Sequence, residues 1–311
     1  MNKEKTAFLF AGQGSQYVGM GKDLYENIPE CKEVFDKAEE ILDMPIKSMI
    51  FEGDEETLRL TENAQPAILV DSLAILKALE VNNIEAKYYA GLSLGEYGAL
   101  IKGKMLSMED GLRLVKERGR IMGSSLPKGL GKMAAILRLE ENEVEEVIKR
   151  ASEVGICEGA NYNCPKQVVI SGENEAIDKA IEIANEMGGR AKELMVSGPF
   201  HSSLLKAASD DFYETIKKVN IGKVEGNVYS NAKGSLYEEG DDVRLLLKEH
   251  IMSPVYFEKI IRDMIDKGVD TFIEVGPGKA LSGFVRKIDR SLTVVNVQDI
   301  DTLNLVISKL K

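Results

Sequence analysis

One serine between two glycines, one histidine far downstream and a group of arginines on a single helix are the residues whose types and spacing point to chemistry. The serine is Ser93, in Gly91-Leu92-Ser93-Leu94-Gly95. A GxSxG pattern places a nucleophile on a tight strand-to-helix turn, where the glycines let the backbone pack without side-chain clash and the hydroxyl is forced outward. The N-terminus of the next helix then aims its amide groups at the oxygen that becomes negative when Ser93 attacks a carbonyl. By itself the pentapeptide reads equally as a turn with a capping serine. Its position after the apolar strand pattern Tyr88–Gly91 and before helical Glu96–Ile101 favours the nucleophile.

A serine nucleophile needs a base, and the sequence offers two histidines. His201 follows Gly198-Pro199-Phe200, with Ser202-Ser203 opening a helix. A positive helix end there disfavours imidazolium and keeps the ring ready to accept a proton. The competing reading of His201 is a polar cap, and the scarcity of bases favours catalysis. His250 falls in the last turn of a helix predicted from about Asp242, where a histidine complements the negative helix end, so its ring reads as structural. No Asp or Glu is assignable as a third triad member, and a backbone carbonyl could orient His201 instead. Gly12-Gln13-Gly14-Ser15-Gln16 fails as a dinucleotide fingerprint because Tyr17 stands at the third glycine position. It reads instead as a loop bringing backbone amides close to a ligand. Val275-Gly276-Pro277-Gly278 reads as a plain turn. Arg113, Arg118 and Arg120 share one predicted helix, and solvation is the default for each. No cluster of residues suggests a metal.

These residues need a frame to hold them. Thr6–Phe10 is a short apolar run broken by the first glycine-rich turn. Val34, Phe35, Ala38, Ile41 and Leu42 repeat at helical spacing, and Ala67–Leu79 reads as a buried helix. Ser107 with Asp110 looks like a capping box for a helix through Met122. From Lys128-Gly129-Leu130-Gly131 the rhythm changes to strand Met133–Leu139, helix Glu143–Ala151, strands Ile156–Tyr162 and Gln167–Ser171, helix Ala176–Met187 and strand Arg190–Val196. That order is βαββαβ, the ferredoxin-like arrangement. Afterwards come a helix at Ser202–Val219, a strand at Asn227–Ser230, helices from Asp242 to Ile251 and Val255 to Lys267, strands Thr271–Val275 and Thr293–Val297, and a terminal helix. The expected fold is α/β: a layered, hydrolase-like domain with a mostly parallel sheet, 1–127 and 199–311, interrupted by a ferredoxin-like small domain, 128–198.

With 311 residues, 44% hydrophobic and 29% charged, the chain has a globular balance, and disordered or fibrous classes are excluded. A net charge of −11 argues against broad nucleic-acid or anionic-membrane binding. No apolar run reaches the ~18 residues that span a bilayer, and the N-terminus lacks a secretion signal. Cys31, Cys157 and Cys164 read as free thiols, which points to a reducing cytoplasm.

Five separated signatures now converge. Phe10-Ala11-Gly12-Gln13-Gly14-Ser15-Gln16, Gly91-Leu92-Ser93-Leu94-Gly95-Glu96, Arg118, Gly198-Pro199-Phe200-His201-Ser202 and Glu274-Val275-Gly276-Pro277-Gly278 closely resemble the malonyl-CoA:acyl carrier protein transacylase family, in its order and over nearly the whole chain. The resemblance implies Ser93 as nucleophile, His201 as general base, and an oxyanion hole from the backbone amides of Gln13 and Leu94. It implies that Arg118 pairs with the malonyl carboxylate and that Phe200 belongs with members taking malonyl over branched methylmalonyl. Two residues depart from the common pattern. Leu92 stands where many members carry His. His250 stands where glutamine is usual, the backbone carbonyl of that position orienting the catalytic histidine.

The implied reaction is a two-step exchange through a malonyl-serine ester, from malonyl-CoA to the phosphopantetheine thiol of acyl carrier protein, without a cofactor or metal. The chain would act as a cytoplasmic monomer with no nucleic-acid or membrane partner. Carrier proteins are acidic, so docking on this acidic chain needs a local basic face. Lys102, Lys104, Lys128, Lys132, Lys166, Arg190 and Lys192 are candidates, with Arg190 and Lys192 preferred for CoA or carrier contact. A serine esterase or thioesterase would share Ser93 and His201 but let water finish the reaction. A silent carrier-docking module would need neither residue.

Overall fold

The computed structural model describes residues 2–127 and 129–310. Lys128, one of the candidate docking cations, lies outside them. In chain order the strands are β1 (Thr6–Phe10), β2 (Tyr88–Gly91), β3 (Lys132–Leu137), β4 (Cys157–Cys164), β5 (Gln167–Gly172), β6 (Arg190–Glu193), β7 (Asn227–Ser230), β8 (Ser235–Leu236), β9 (Thr271–Val275) and β10 (Thr293–Val297). They form a six-stranded sheet ordered β10-β9-β1-β2-β7-β8 and a four-stranded sheet ordered β4-β5-β3-β6.

The large sheet is parallel except for the final β7–β8 pair. Both β1 and β2 are buried along their whole length, as expected of strands covered on both faces. Register fixes the functional geometry. Phe10 pairs with Gly91 on one side and with Val275 on the other, so the loops after β1, β2 and β9 leave the sheet together. Ligands of open parallel sheets collect at this carboxyl edge. The 21-residue helix Thr61–Val81 packs beneath it, buried on nearly every side.

The small sheet is antiparallel throughout and, with helices Glu141–Ala151 and Asn174–Glu186, follows βαββαβ order. Ala134, Ile136, Val168 and Ile170 face the two helices and form a separate core with Val144, Val147, Ile177 and Ala180. The opposite face presents Met133, Ala135 and Val169 to the large unit. A short zipper joins the units: Tyr162 N–H donates to the Val255 carbonyl at 2.9 Å, and Val255 N–H donates to the Ala160 carbonyl at 2.8 Å.

That zipper explains one departure from expectation. Val255 is extended beside β4, and its helix starts only at Phe257. The helix expected from Ser202 opens as a 3-10 turn, Ser203–Leu205, and is regular over Lys206–Ile216. The strand expected to reach Val196 stops at Glu193. Ser107 caps its helix by accepting from Asp110 N–H, but the Asp110 carboxylate bonds the Ser107 hydroxyl and not its amide, so half of the capping box is absent. Among the described residues, no helix is long and apolar enough to cross a membrane.

Candidate active site

Ser93 sits where β2 breaks into a tight turn, with φ 53°, a left-handed conformation that is costly for a side-chain-bearing residue. The flanking glycines show why the pattern is required. A Cβ on Gly91 would stand 2.1 Å from the Gly95 carbonyl carbon, and one on Gly95 would stand 2.1 Å from the Phe10 carbonyl oxygen. Asn231, fully buried at the end of β7, staples this turn from both sides. Its Oδ1 accepts the Ser93 N–H at 2.7 Å, and its Nδ2 donates to the Gly91 carbonyl at 2.8 Å.

Ser93 Oγ lies 2.7 Å from His201 Nε2. On its other side, His201 Nδ1 faces the carbonyl oxygens of His250 at 3.0 Å and Ser253 at 3.1 Å. Two acceptors there require a proton on Nδ1, which leaves Nε2 free to accept from Ser93. Burial, and secondarily the nearby Arg118 charge, lower the His201 pKa to about 3. The ring is therefore a neutral base at neutral pH. Desolvation comes first among the causes and the Arg118 cation second, and the helical turn expected after His201 does open at Ser203. The expectation for His250 is corrected. It is fully buried, and burial, Arg118 and His201 hold its pKa well below the usual value, so it is no imidazolium complementing a helix end.

Arg118 is 1% exposed, which overturns the surface default for that residue, whereas Arg113 and Arg120 on the same helix are exposed. Its Nη2 donates to Ser93 Oγ at 3.0 Å and its Nη1 to Gln65 Oε1 at 2.7 Å. Nε has no hydrogen-bond partner among the described residues. The guanidinium also lies 5.7 Å from the Tyr97 ring centroid. Ser93, His201, Arg118, Gln13 and Phe200 line one cavity of about 230 Å³. The face of the small sheet turned toward the large unit roofs it with Met133, Ala135 and Val169.

The structure thus brings five of the expected residues together. Gln13 is fixed by donating from Nε2 to Thr61 Oγ1 at 3.0 Å. Leu94 follows Ser93 within the turn and is buried. Arg190 and Lys192 are exposed on β6 and do not line the cavity. Lys192 pairs across the sheet with Ala135, however, which places it on the cleft face. The other basic candidates are weaker. Lys102 pairs with Glu80, Lys132 with Asp178 and Glu193, and Lys166 with Glu140, so their charge is already answered. Lys104 is exposed at a turn with φ 59°.

Sequence reasoning missed Asn231, Ser253, Gln65 and the role of Glu96. Glu96 Oε2 accepts the Asn231 N–H at 3.0 Å, and its other oxygen accepts from the Tyr237 hydroxyl. Among the described residues, no group of three or more His, Cys, Asp or Glu is placed to hold a metal ion.

A serine with a neutral histidine base on a strand–turn–helix elbow, closed over by a ferredoxin-like sheet, defines an acyl-transferring enzyme of the serine type. The chain belongs to the acyl transferase domain family, which matches residues 7–307. It is 45% identical over 309 residues to a malonyl CoA-acyl carrier protein transacylase of Bacillus subtilis, covering 99% of this chain and 98% of that relative. The crystal structure of a malonyl CoA-acyl carrier protein transacylase from Clostridium perfringens superposes with a TM-score of 0.96 at 48% identity, over 98% of this chain and 97% of the other. A malonyl-transacylase solved in complex with its type II PKS acyl-carrier protein superposes at 0.94 and 31% identity, over 98% and 99% of the two chains.

Proposed function

We propose that this chain moves a malonyl group from CoA to the phosphopantetheine thiol of an acyl carrier protein, through an ester on Ser93. One observation carries the assignment of the acyl group: a buried guanidinium 3.0 Å from the nucleophile. A malonyl ester on Ser93 ends in a carboxylate one methylene beyond its carbonyl, within reach of Arg118. The planar fork matches a carboxylate with two hydrogen bonds, and the unpartnered Nε supplies a further donor.

In the first step His201 Nε2 takes the Ser93 proton as Oγ attacks the thioester carbonyl. The oxyanion forms where the amides of Gln13 and Leu94 are proposed to meet it, each such donor contributing ~3 kcal/mol at the transition state. CoA leaves as the thiol, taking the proton from His201. In the second step the carrier thiol gives its proton to His201 and attacks the ester, and Ser93 recovers its hydrogen. Nucleophile, base and electrostatic donors all come from the chain, so the steps call for no cofactor. They also call on one chain only, in keeping with a monomer. The three free, buried cysteines accord with a reducing cytoplasm. We assign the malonyl-binding cleft to the junction of two proposed domains, 1–127 with 199–311 and 128–198.

Intact-mass analysis tests the reading. Protein mixed with malonyl-CoA should gain one malonyl group on Ser93, and added holo carrier protein should remove it with equal gain. Rapid loss of the label to water without carrier would identify a thioesterase instead.

A further inference from the structure

We propose that Glu96 is a positioning residue for acyl transfer, one buried carboxyl group that ties the turn bearing Ser93 to the segment holding His201. The inference rests on the malonyl-transfer reading for its substrate, but its geometry stands apart from it. On the nucleophile side, Oε2 accepts the backbone N–H of Asn231, and Asn231 spends its whole side chain on the Ser93 amide and the Gly91 carbonyl. On the base side, the same Oε2 packs 3.2 Å from His250 Nδ1, a close approach that lacks hydrogen-bond geometry. The His250 carbonyl accepts from His201 Nδ1, and the two rings stack with centroids 5.3 Å apart. Tyr237 donates its hydroxyl to the remaining oxygen and fixes the carboxyl plane.

Nothing in the proposed chemistry requires a buried carboxyl at this position, and burial makes it costly there. Burial raises the Glu96 pKa to about 7, opposed by the Tyr237 and Asn231 hydrogen bonds and the Arg118 charge. Besides Arg118, His250 and Tyr237, the Tyr97 phenol is the titratable group that faces it. Since Ser93 has φ 53° and His201 φ 58°, both reacting side chains hang from backbone that would relax if its partners were lost. A displacement of about 1 Å between nucleophile and base costs about 100-fold in rate.

The test measures the rate of Ser93 acylation by malonyl-CoA under single-turnover conditions, as a function of substrate concentration. The same variants are also treated with a fluorophosphonate probe, which needs Ser93 and His201 but no malonyl group. Glu96→Ala should lower the maximal rate about 100-fold and leave the half-saturating concentration within about threefold, with an equal loss toward the probe. Glu96→Gln retains an acceptor for Asn231 and should recover most of that rate. A Glu96→Ala rate within about threefold of wild type, or a loss confined to half-saturation, overturns the proposal. If Glu96→Ala does not fold, Glu96→Asp, which draws the carboxyl back by one methylene from the Asn231 N–H, is judged by the same criteria. Wild-type protein that reacts with the probe but not with malonyl-CoA would reject the malonyl reading and leave the probe measurements to decide this one.

Discussion

Arg118 and Ser93 are in direct contact: Nη2 of a fully buried guanidinium donates to the nucleophile's Oγ at 3.0 Å, while that oxygen faces His201 Nε2 at 2.7 Å. One cation therefore does two things. It steadies the negative charge gathering on Oγ as the proton leaves, and it keeps His201 neutral by opposing its protonation. It is also a buried charge, and the buried carboxyl it acts on, Glu96, has its pKa raised by burial to about 7.

Arg118→Ala should therefore lose malonyl transfer far more than acetyl transfer. Removing the partner of a desolvated carboxylate costs roughly 3–5 kcal/mol, a fall of about 10²- to 5 × 10³-fold in kcat/KM for malonyl-CoA. Arg118→Lys keeps the charge without the fork and should fall in between. Competition between malonyl-CoA and acetyl-CoA, read by intact mass, checks both. Equal losses for the two thioesters would remove Arg118 from acyl selection.

Ser93→Ala should abolish acyl-enzyme formation without loss of stability, because alanine removes the strained residue's hydroxyl but leaves the amide that Asn231 holds. The variant should still bind malonyl-CoA, measurable by calorimetry. A malonyl adduct on this variant would place the nucleophile elsewhere.

How much of this site the sequence disclosed depended on whether the signal was local. The turn at Ser93 was legible because its glycines are demanded within five residues, and the exact ends of β1, β2, β7, β9 and β10 followed from short apolar runs. Burial of Arg118 was also legible in principle: Leu114, Val115, Ile121 and Met122 stand three and four positions away, on the same helix face. Charge type outweighed periodicity in that reading. Asn231 carried no such signal. Its contact with Ser93 exists because β7 pairs with β2, Tyr88 against Asn227, and strand order is not written in either segment. Helix Ala280–Ile288 escaped because Gly283 interrupts a short apolar pattern, and Lys22–Asn27 and Glu55–Arg59 are too brief to show a period.

Neither histidine should titrate in the range where histidines usually do. The chain holds only two, so ring carbon-bound proton signals in an NMR titration are assignable by a single substitution. Both rings are buried and neutral, with His201 at about 3 and His250 well below the ordinary value. Both should remain flat from pH 7.5 to 5 in the folded protein. A midpoint near 6.5 for His201 would mean that water or an anion reaches the ring.

The same two rings set the acid side of stability, and the sign can be worked out. In the unfolded chain each imidazole binds a proton below its ordinary value of 6.5, whereas in the folded chain it does not. The unfolded state thus holds more protons, and stability falls as pH drops below 6.5. Glu96 acts in the opposite direction: its folded value is about 7 against 4.5 unfolded, so its contribution is full below 4.5 and is lost as pH rises through 7. His250→Gln removes one buried imidazole yet leaves the backbone carbonyl that holds His201 Nδ1. The variant should keep acylation within about tenfold and resist acid better, by up to about 3 kcal/mol at pH 4.5. Urea denaturation midpoints of both proteins at pH 7 and pH 4.5 measure this. An equal decline in the two would show that His250 is not the buried neutral base described here.

Gly95→Ala should damage the site by steric means alone. Gly95 has φ −60°, so alanine is permitted by the backbone at that residue. The obstacle is the Phe10 carbonyl oxygen, 2.1 Å from where the new methyl would sit, with the Ala11 carbonyl at 2.8 Å. Both belong to the β1 exit that leads into Gln13, so the turn at Ser93 and the loop at Gln13 must move apart. The expected cost is about 1–3 kcal/mol of stability from overpacking, with a larger proportional loss of acylation rate than of folding. Gly14→Ala offers a contrast, since nothing lies within 4 Å of its added carbon and only its φ of 98° resists. Thermal melts paired with fluorophosphonate labelling rates distinguish the two. If Gly95→Ala labels at the wild-type rate, the close approach of the two loops is not what aligns the nucleophile.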